Sequence, residues 1–233
     1  MREAAQNKKL GARSTRRRPF VTVKFAQSLD GRIATSTGDS QWISSAQSQR
    51  LAHKLRREHD AIMVGIGTVL ADDPQLTVRL VRGRDPLRVV VDSAFRTPLT
   101  AQVLADGAAV GTIIAGAASV DRRRELEIRK LGAQILRLPK SKKGGGVDLI
   151  RLLEELRRRG IASVLVEGGK GIITSLLAAG AIDRMVVVIA PKIIGQGIES
   201  IGDLGITRLG AAITFSSIKT RRLGPDIVVD ARL

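Results

Sequence analysis

Residues 163–177 read Ser-Val-Leu-Val-Glu-Gly-Gly-Lys-Gly-Ile-Ile-Thr-Ser-Leu-Leu. An apolar run of strand length gives way to one carboxylate, Glu167, then to glycines around Lys170, then to an apolar run of helical character. Glycines at such a junction let the backbone approach a bulky anion, and a following helix offers unpaired N–H groups and a positive dipole end to a phosphate. The stretch reads either as a phosphate cradle between strand and helix or as a plain turn, which also favours glycine. It is not a Walker loop, because no Gly-Lys-Ser/Thr follows at the required spacing.

Working outward, short apolar runs alternate with helical patterns from Phe20 onward. Strands are expected at 20–26, 61–65, 87–92, 112–116, 134–138, 163–166 and 185–190, and helices at 44–58 (capped by Ser44 or Ser45), around 69–71, and at 120–131, 147–159 and 172–179. A polar loop is expected over 140–146. Two final extended segments flank Gly224-Pro225-Asp226 and read as an antiparallel hairpin. Nearly continuous β-branched strands separated by helices imply an α/β fold with a mainly parallel central sheet and helices on both faces. Ligands of such sheets sit at the carboxyl ends of the strands. Residues 24–30, 65–68, 92–93 and 167–171 all fall there, and four independent turns on one edge favour the cradle over the plain turn.

The chain has 233 residues, 43% of them hydrophobic, enough for one large domain. It has no cysteine and only two histidines, His53 and His59, which excludes disulfides and thiolate metal sites and argues against zinc. No metal site is expected, and both histidines read as ordinary surface or interface residues. No apolar run approaches the length of a membrane helix and no secretory core is visible at the N-terminus, so a cytoplasmic protein is expected. Net charge is +17, of which the arm over residues 1–18 carries +6, leaving +11 for the body. The arm reads as a disordered, solvated tail preceding a domain over 19–233, with a nucleic-acid arm as the alternative. Aromatic residues make up only 2%, so stacking platforms for bases are nearly missing. The basic body suits small phosphorylated ligands.

Six stretches carry a resemblance: Lys-Phe-Ala-Gln-Ser-Leu-Asp-Gly-Arg (24–32), Gly-Asp-Ser-Gln-Trp-Ile (38–43), Gly-Thr-Val-Leu-Ala-Asp-Asp-Pro-Gln-Leu-Thr-Val-Arg (67–79), Val-Val-Val-Asp-Ser (89–93), Val-Glu-Gly-Gly (166–169) and Ile-Ala-Pro-Lys-Ile-Ile-Gly (189–195). In this order they resemble the riboflavin-pathway reductases of dihydrofolate-reductase-like fold. That family comprises the reductase half of the bacterial bifunctional deaminase-reductase and its stand-alone archaeal counterpart. The resemblance implies hydride transfer from NADPH to C1′ of a phosphoribosylamino-pyrimidine, turning ribosyl into ribityl.

By the same resemblance, Lys24 and Glu167 are the catalytic pair at the open-chain sugar, although Glu167 can also be read as a structural ion-pair partner of Lys24. Ser40, Arg56, Leu76 and Arg79 match substrate contacts, the arginines suiting a phosphate monoester. Ala26, Trp42, Thr68, Asp72, Ser93, Gly169, Lys170, Gly171, Ile172, Ile173, Thr174 and Ser175 match cofactor positions. Asp92 at a strand end would point to NADH by Rossmann logic, but the fold is a different one, and Arg96 nearby suits a 2′-phosphate, so NADPH is expected. A homodimer is expected from the resemblance. The deaminase signature is absent, so the chain resembles the stand-alone enzymes, which reduce the 2,5-diamino-pyrimidinone; the amino-oxo pyrimidine is the alternative substrate. A dihydrofolate or pterin reductase on the same fold is a rival reading. It calls for an acid on the first long helix, where this chain offers Gln47, Arg50, Lys54 and Arg56, with Glu58 only at the end.

Overall fold

Alternation along the first strand already sorts the two faces of the sheet. In β1 (Phe20–Ser28), Val21, Val23 and Phe25 enter one apolar core, while Ala26 packs into another around Leu51 and Leu55. The same alternation divides β3 (Ala61–Gly65): Ala61 and Met63 belong to the first core, Ile62 and Val64 to the opposite side. Successive side chains of a strand point to opposite faces, so strands apolar on both sides must be covered twice.

The computed structural model describes residues 16–117, 122–141 and 146–233. Most of the expected basic arm, the start of the helix expected at 120–131 and the middle of the loop expected at 140–146 lie outside the described residues. Arg16 and Arg18 of the arm are described, and both ion-pair with Asp183.

The remaining elements follow in chain order. After β2 (Arg32–Thr35) and α1 (Ala46–Glu58) come β3, α2 (Ile66–Asp72), β4 (Leu87–Val91) and β5 (Thr112–Ala117). Then follow α3 (Arg122–Lys130), β6 (Gln134–Leu138), α4 (Leu149–Arg158), β7 (Ser163–Val166), α5 (Lys170–Ala178) and β8 (Arg184–Ala190). The chain ends with β9 (Gly197–Glu199), β10 (Ser217–Leu223) and β11 (Asp226–Arg232). A nine-stranded sheet runs in the order β10-β11-β8-β1-β7-β3-β4-β5-β6. From β8 to β6 every pairing is parallel; β11 and β10 add antiparallel strands at one edge. This is the mainly parallel α/β sheet with a C-terminal hairpin that the sequence implies.

Helix ends follow ordinary capping chemistry. Ser45 caps α1, its side chain accepting from the Ser48 N–H, and Asp148 caps α4 by accepting from Ile150 and Arg151. The helices α4 and α5 cover the first core through Leu152, Leu153, Leu156, Ile173 and Leu176, while α1 and α3 cover the opposite side through Leu51, Leu55 and Ile128. One element was not expected: β2 and β9 form a separate two-stranded sheet with a register shift between Arg32 and Ala34. Asp30 fastens the loops around it. Its carboxylate accepts from Ser28 Oγ at 2.5 Å and from the Gly195 N–H at 2.7 Å, and these bonds hold its pKa down at about 2.

Candidate active site

Parallel neighbours β1 and β7 pair Val23 with Val166, which sets Lys24 and Glu167 side by side at the carboxyl edge of the sheet. Glu167 stays in register because its N–H donates to Met63 O of β3 at 3.0 Å. From α1, Arg56 reaches over this edge: Nε donates to Glu167 Oε1 at 2.9 Å and Nη2 to Oε2 at 2.8 Å, the two side chains being 13% and 12% exposed. Its Nη1 donates to Thr77 O at 3.0 Å. Glu167 therefore finds its ion-pair partner on α1, and Arg56, expected to meet substrate phosphate, is engaged by a carboxylate.

The electrostatics of this cluster are set by burial and by one another. Burial would push the Glu167 carboxyl up, but the charge and hydrogen bonds of Arg56, helped by Lys24, outweigh it and hold the group below the ordinary carboxylate value. Burial pulls the Lys24 ammonium below the ordinary lysine value, with Glu167 opposing and Arg56 reinforcing the shift. A lysine lowered in this way exchanges its proton more readily, next to a carboxylate that stays charged.

This edge borders a cleft of about 1230 Å³. Lys24, Ala26, Ser40, Thr68, Asp72 and Ser93 line it, as do Glu167, Gly169, Lys170, Gly171, Ile172, Thr174 and Ser175. Ser40 Oγ donates to Asp72 Oδ1 at 3.1 Å, joining two of the expected positions. Six expected residues are not among the cleft lining. Arg56 sits behind Glu167. Leu76, at φ +56, is 2% exposed and Ile173 is fully buried in the core. Arg79 and Arg96 lie on the surface, with Arg79 Nη1 donating to Thr77 Oγ1 at 2.7 Å and to Gln75 Oε1. Trp42 is 67% exposed, and its carbonyl accepts from Lys192 Nζ at 2.7 Å.

The glycine turn fits a nucleotide pyrophosphate. A Cβ placed on Gly169 would meet nothing nearer than Thr68 Oγ1 at 3.8 Å, and one on Gly171 would meet nothing within 4 Å. The space beside these backbones is thus open to a ligand. Among the described residues no side chain caps the first turn of α5, whose N-cap is Gly169, so its leading N–H groups remain for an anion. Gly168 differs: a Cβ there would lie 2.1 Å from Ile172 Cγ2, so this glycine serves packing. Asp92 is withdrawn from ligands. It is fully buried, and its Oδ2 accepts from the Thr97 N–H at 2.7 Å and the Thr97 hydroxyl at 2.8 Å.

Residues 19–229 match the family described as the RibD C-terminal domain. The chain belongs to this family. Among its relatives, the riboflavin biosynthesis protein RibD of Aquifex aeolicus is 41% identical over 216 residues, covering 92% of this chain and 58% of that protein. The 2,5-diamino-6-ribosylamino-4(3H)-pyrimidinone 5′-phosphate reductase of Methanothermobacter thermautotrophicus is 42% identical over 218 residues, covering 91% of this chain and 97% of that enzyme. In three dimensions, RibD of Acinetobacter baumannii superposes with a TM-score of 0.82 at 30% identity, covering 98% of this chain and 62% of that one. The chain thus spans less than two thirds of the RibD proteins it matches and nearly all of the archaeal reductase.

Two features of this RibD C-terminal domain escaped the sequence reading. His53 and His59, expected as surface or interface residues, are 6% and 5% exposed and packed within the chain itself. His59 donates Nδ1–H to Leu55 O at 2.7 Å and accepts the Thr22 hydroxyl at Nε2, 2.9 Å away. The signal was present: Leu51, Leu55 and His59 recur every fourth residue, the spacing of a helix face turned to the core. The second is Asp148, which caps α4 and also lines the cleft, as do Ile33, Ala34 and Ile198 of the small sheet.

Proposed function

We propose that this chain is an NADPH-dependent reductase that converts the ribosyl group of a 5′-phosphorylated ribosylamino-pyrimidine to ribityl, with the 2,5-diamino-pyrimidinone as substrate. The observation that carries this reading is the placement of Lys24 and Glu167 side by side at one end of a cleft that also holds the open glycine turn. The choice of the diamino substrate follows the Methanothermobacter enzyme, whose length this chain nearly matches.

Reduction adds one hydride at C1′ and one proton, and the bond from C1′ to the ring oxygen breaks so that the 4′-oxygen ends as a hydroxyl. Bound in the cleft, NADPH supplies the hydride. The backbones of Gly169 and Gly171 and the leading N–H groups of α5 would hold its pyrophosphate. Lys24, with its lowered proton affinity, releases and recovers a proton at the opening sugar, while Glu167 accepts a sugar hydroxyl and steadies positive charge developing near C1′. Arg79 holds the 5′-phosphate at the surface end of the site, with Arg56 anchoring both Glu167 and the segment that carries Arg79. Trp42 and Arg96 reach the cofactor from outside the cleft wall, Arg96 at the 2′-phosphate, whereas Leu76 and Ile173 serve through their backbones.

Steady-state oxidation of NADPH and of NADH, followed with the diamino substrate, the amino-oxo substrate and dihydrofolate, tests the reading. Turnover of the diamino compound with NADPH is expected, and turnover of dihydrofolate alone would overturn it. The working form is a cytoplasmic homodimer joined through β10, an exposed edge strand whose Ile218 is 58% exposed. A monomeric mass by light scattering at micromolar concentration would refute that arrangement. The basic arm is not the functional surface in this reading, so gel shifts with RNA or DNA should be unaffected by removal of residues 1–15.

A further inference from the structure

His53 stands three residues before Arg56 on α1, and both grip the same short segment. The His53 Nδ1 accepts the backbone N–H of Arg79 at 2.9 Å and, more distantly, that of Leu80 at 3.5 Å. Arg56 Nη1 donates to Thr77 O at 3.0 Å. The stretch from Thr77 to Leu80 lies outside every strand, so side chains hold it: Asp85 accepts the Val78 N–H at 2.6 Å, and His53 and Arg56 grip it on the side of α1, His53 at Arg79 itself. An Nδ1 that accepts an amide hydrogen carries no proton of its own, which places the neutral imidazole's hydrogen on Nε2.

The charged groups around His53 are Arg56 on its own helix, Arg79 on the gripped segment, Lys24 on β1, and Glu167 after β7. Burial first, then Arg56 and Arg79, hold the imidazole's proton affinity below the ordinary histidine value, with Glu167 opposing. A protonated ring would lose its only lone pair and with it the bond to Arg79, and would add a fourth cation to the cluster.

We propose that His53 is a positioning residue for substrate phosphate, working through its neutral Nδ1, which holds the Arg79 backbone so that the guanidinium meets the 5′-phosphate. The inference rests on the reading of Arg79 as the phosphate ligand.

Two variants separate the acceptor from the bulk of the side chain. His53→Asn keeps an oxygen near the position of Nδ1 and cannot become charged; His53→Leu keeps volume and loses the acceptor. With the 2,5-diamino substrate at pH 8, His53→Leu should raise KM about tenfold, the scale of one lost hydrogen bond to a backbone amide. Its kcat and its dissociation constant for NADPH should stay within twofold of wild type, and His53→Asn should resemble wild type throughout. On acidification the substrate phosphate's own ionisation raises KM in both proteins, but the rise should be steeper in wild type than in His53→Asn.

Superimposable pH profiles, or equal KM values for Asn and Leu at pH 8, would overturn the proposal. Should the Leu variant fail to fold, the comparison of wild type with Asn decides. Nitrogen-15 NMR of His53 reads the tautomer without turnover: a protonated Nδ1 at pH 7.5 would sink the inference even in an active enzyme. Absence of turnover in a protein with the expected tautomer would instead overturn the substrate reading.

Discussion

Arg56 and Glu167 face each other in a two-pronged ion pair, Nε to Oε1 at 2.9 Å and Nη2 to Oε2 at 2.8 Å, across 111 residues of chain. The pair ties the first long helix to the turn that opens the glycine cradle. A buried pair of this kind adds little net stability, but removing one partner leaves the other charge uncompensated.

Glu167→Gln keeps the shape and loses the charge. Turnover should fall at saturating substrate while the NADPH dissociation constant stays near normal, and stability at pH 7 should drop by about 2 kcal/mol. The pH dependence has a defined sign. Because the folded Glu167 titrates below its unfolded value, its contribution is complete above the ordinary glutamate value of 4.5 and is lost as pH falls through the lower folded value. Urea unfolding between pH 7 and pH 3 should show this loss in wild type and a shallower one in the Gln variant.

Neighbouring glycines should respond differently to substitution. Gly169 has φ −75, ordinary for any residue, and open space beside it, so Gly169→Val should fold normally and bind NADPH at least tenfold more weakly. Gly168→Ala meets Ile172 and should lower the melting temperature first. Thermal melts with and without NADPH distinguish the two; equal NADPH shifts in wild type and Gly169→Val would leave the glycines as turn residues only.

Arg79→Ala removes a guanidinium that bonds Gln75 and Thr77 at the surface. KM for the phosphorylated substrate should rise by a factor equivalent to roughly 1.5 to 3 kcal/mol, with a smaller change in kcat. A dephosphorylated substrate should be used equally well by both proteins. If the variant loses as much on that compound as on the phosphate ester, the phosphate lies elsewhere.

His59 adds a second acid sensitivity. Burial pushes its pKa down to about 4 from 6.5, so the unfolded chain binds the extra proton between these values. Its stabilising contribution is therefore present above pH 6.5 and is lost as pH falls toward 4, by roughly 3 kcal/mol in all. Unfolding free energies at pH 7 and pH 5 should differ in wild type by more than in His59→Gln.

Runs such as Val89-Val-Val91 and Val186-Val-Val188 made the parallel strands legible, because a strand covered on both faces has no polar positions to confuse its length. The glycine turn and the capping serines were legible for the same local reason. The sheet of β2 and β9 was not: its strands have four and three residues, and only their mutual pairing defines them. Nor does local pattern connect Arg56 to Glu167, since a long-range ion pair leaves no periodic trace. Resemblance placed Arg56 among the phosphate contacts; its partner in the structure is the Glu167 carboxylate.

The position of β1 has a consequence for how the protein is made. This strand is the first in the chain, yet its neighbours in the sheet are β7 and β8, which span residues 163–166 and 184–190. During synthesis the segment carrying Lys24 waits, with its Val21, Val23 and Phe25 uncovered, until β7 and β8 have emerged. Nucleation can proceed locally around β3 to β6, but the edge that carries Lys24 and Glu167 forms only by insertion of β1 between two strands made much later. A nascent chain stalled before residue 163 can hold a partial sheet but no Glu167 beside Lys24, so under the proposed role of that pair activity should switch on abruptly with chain length, and the exposed strand β1 is the segment a chaperone would meet.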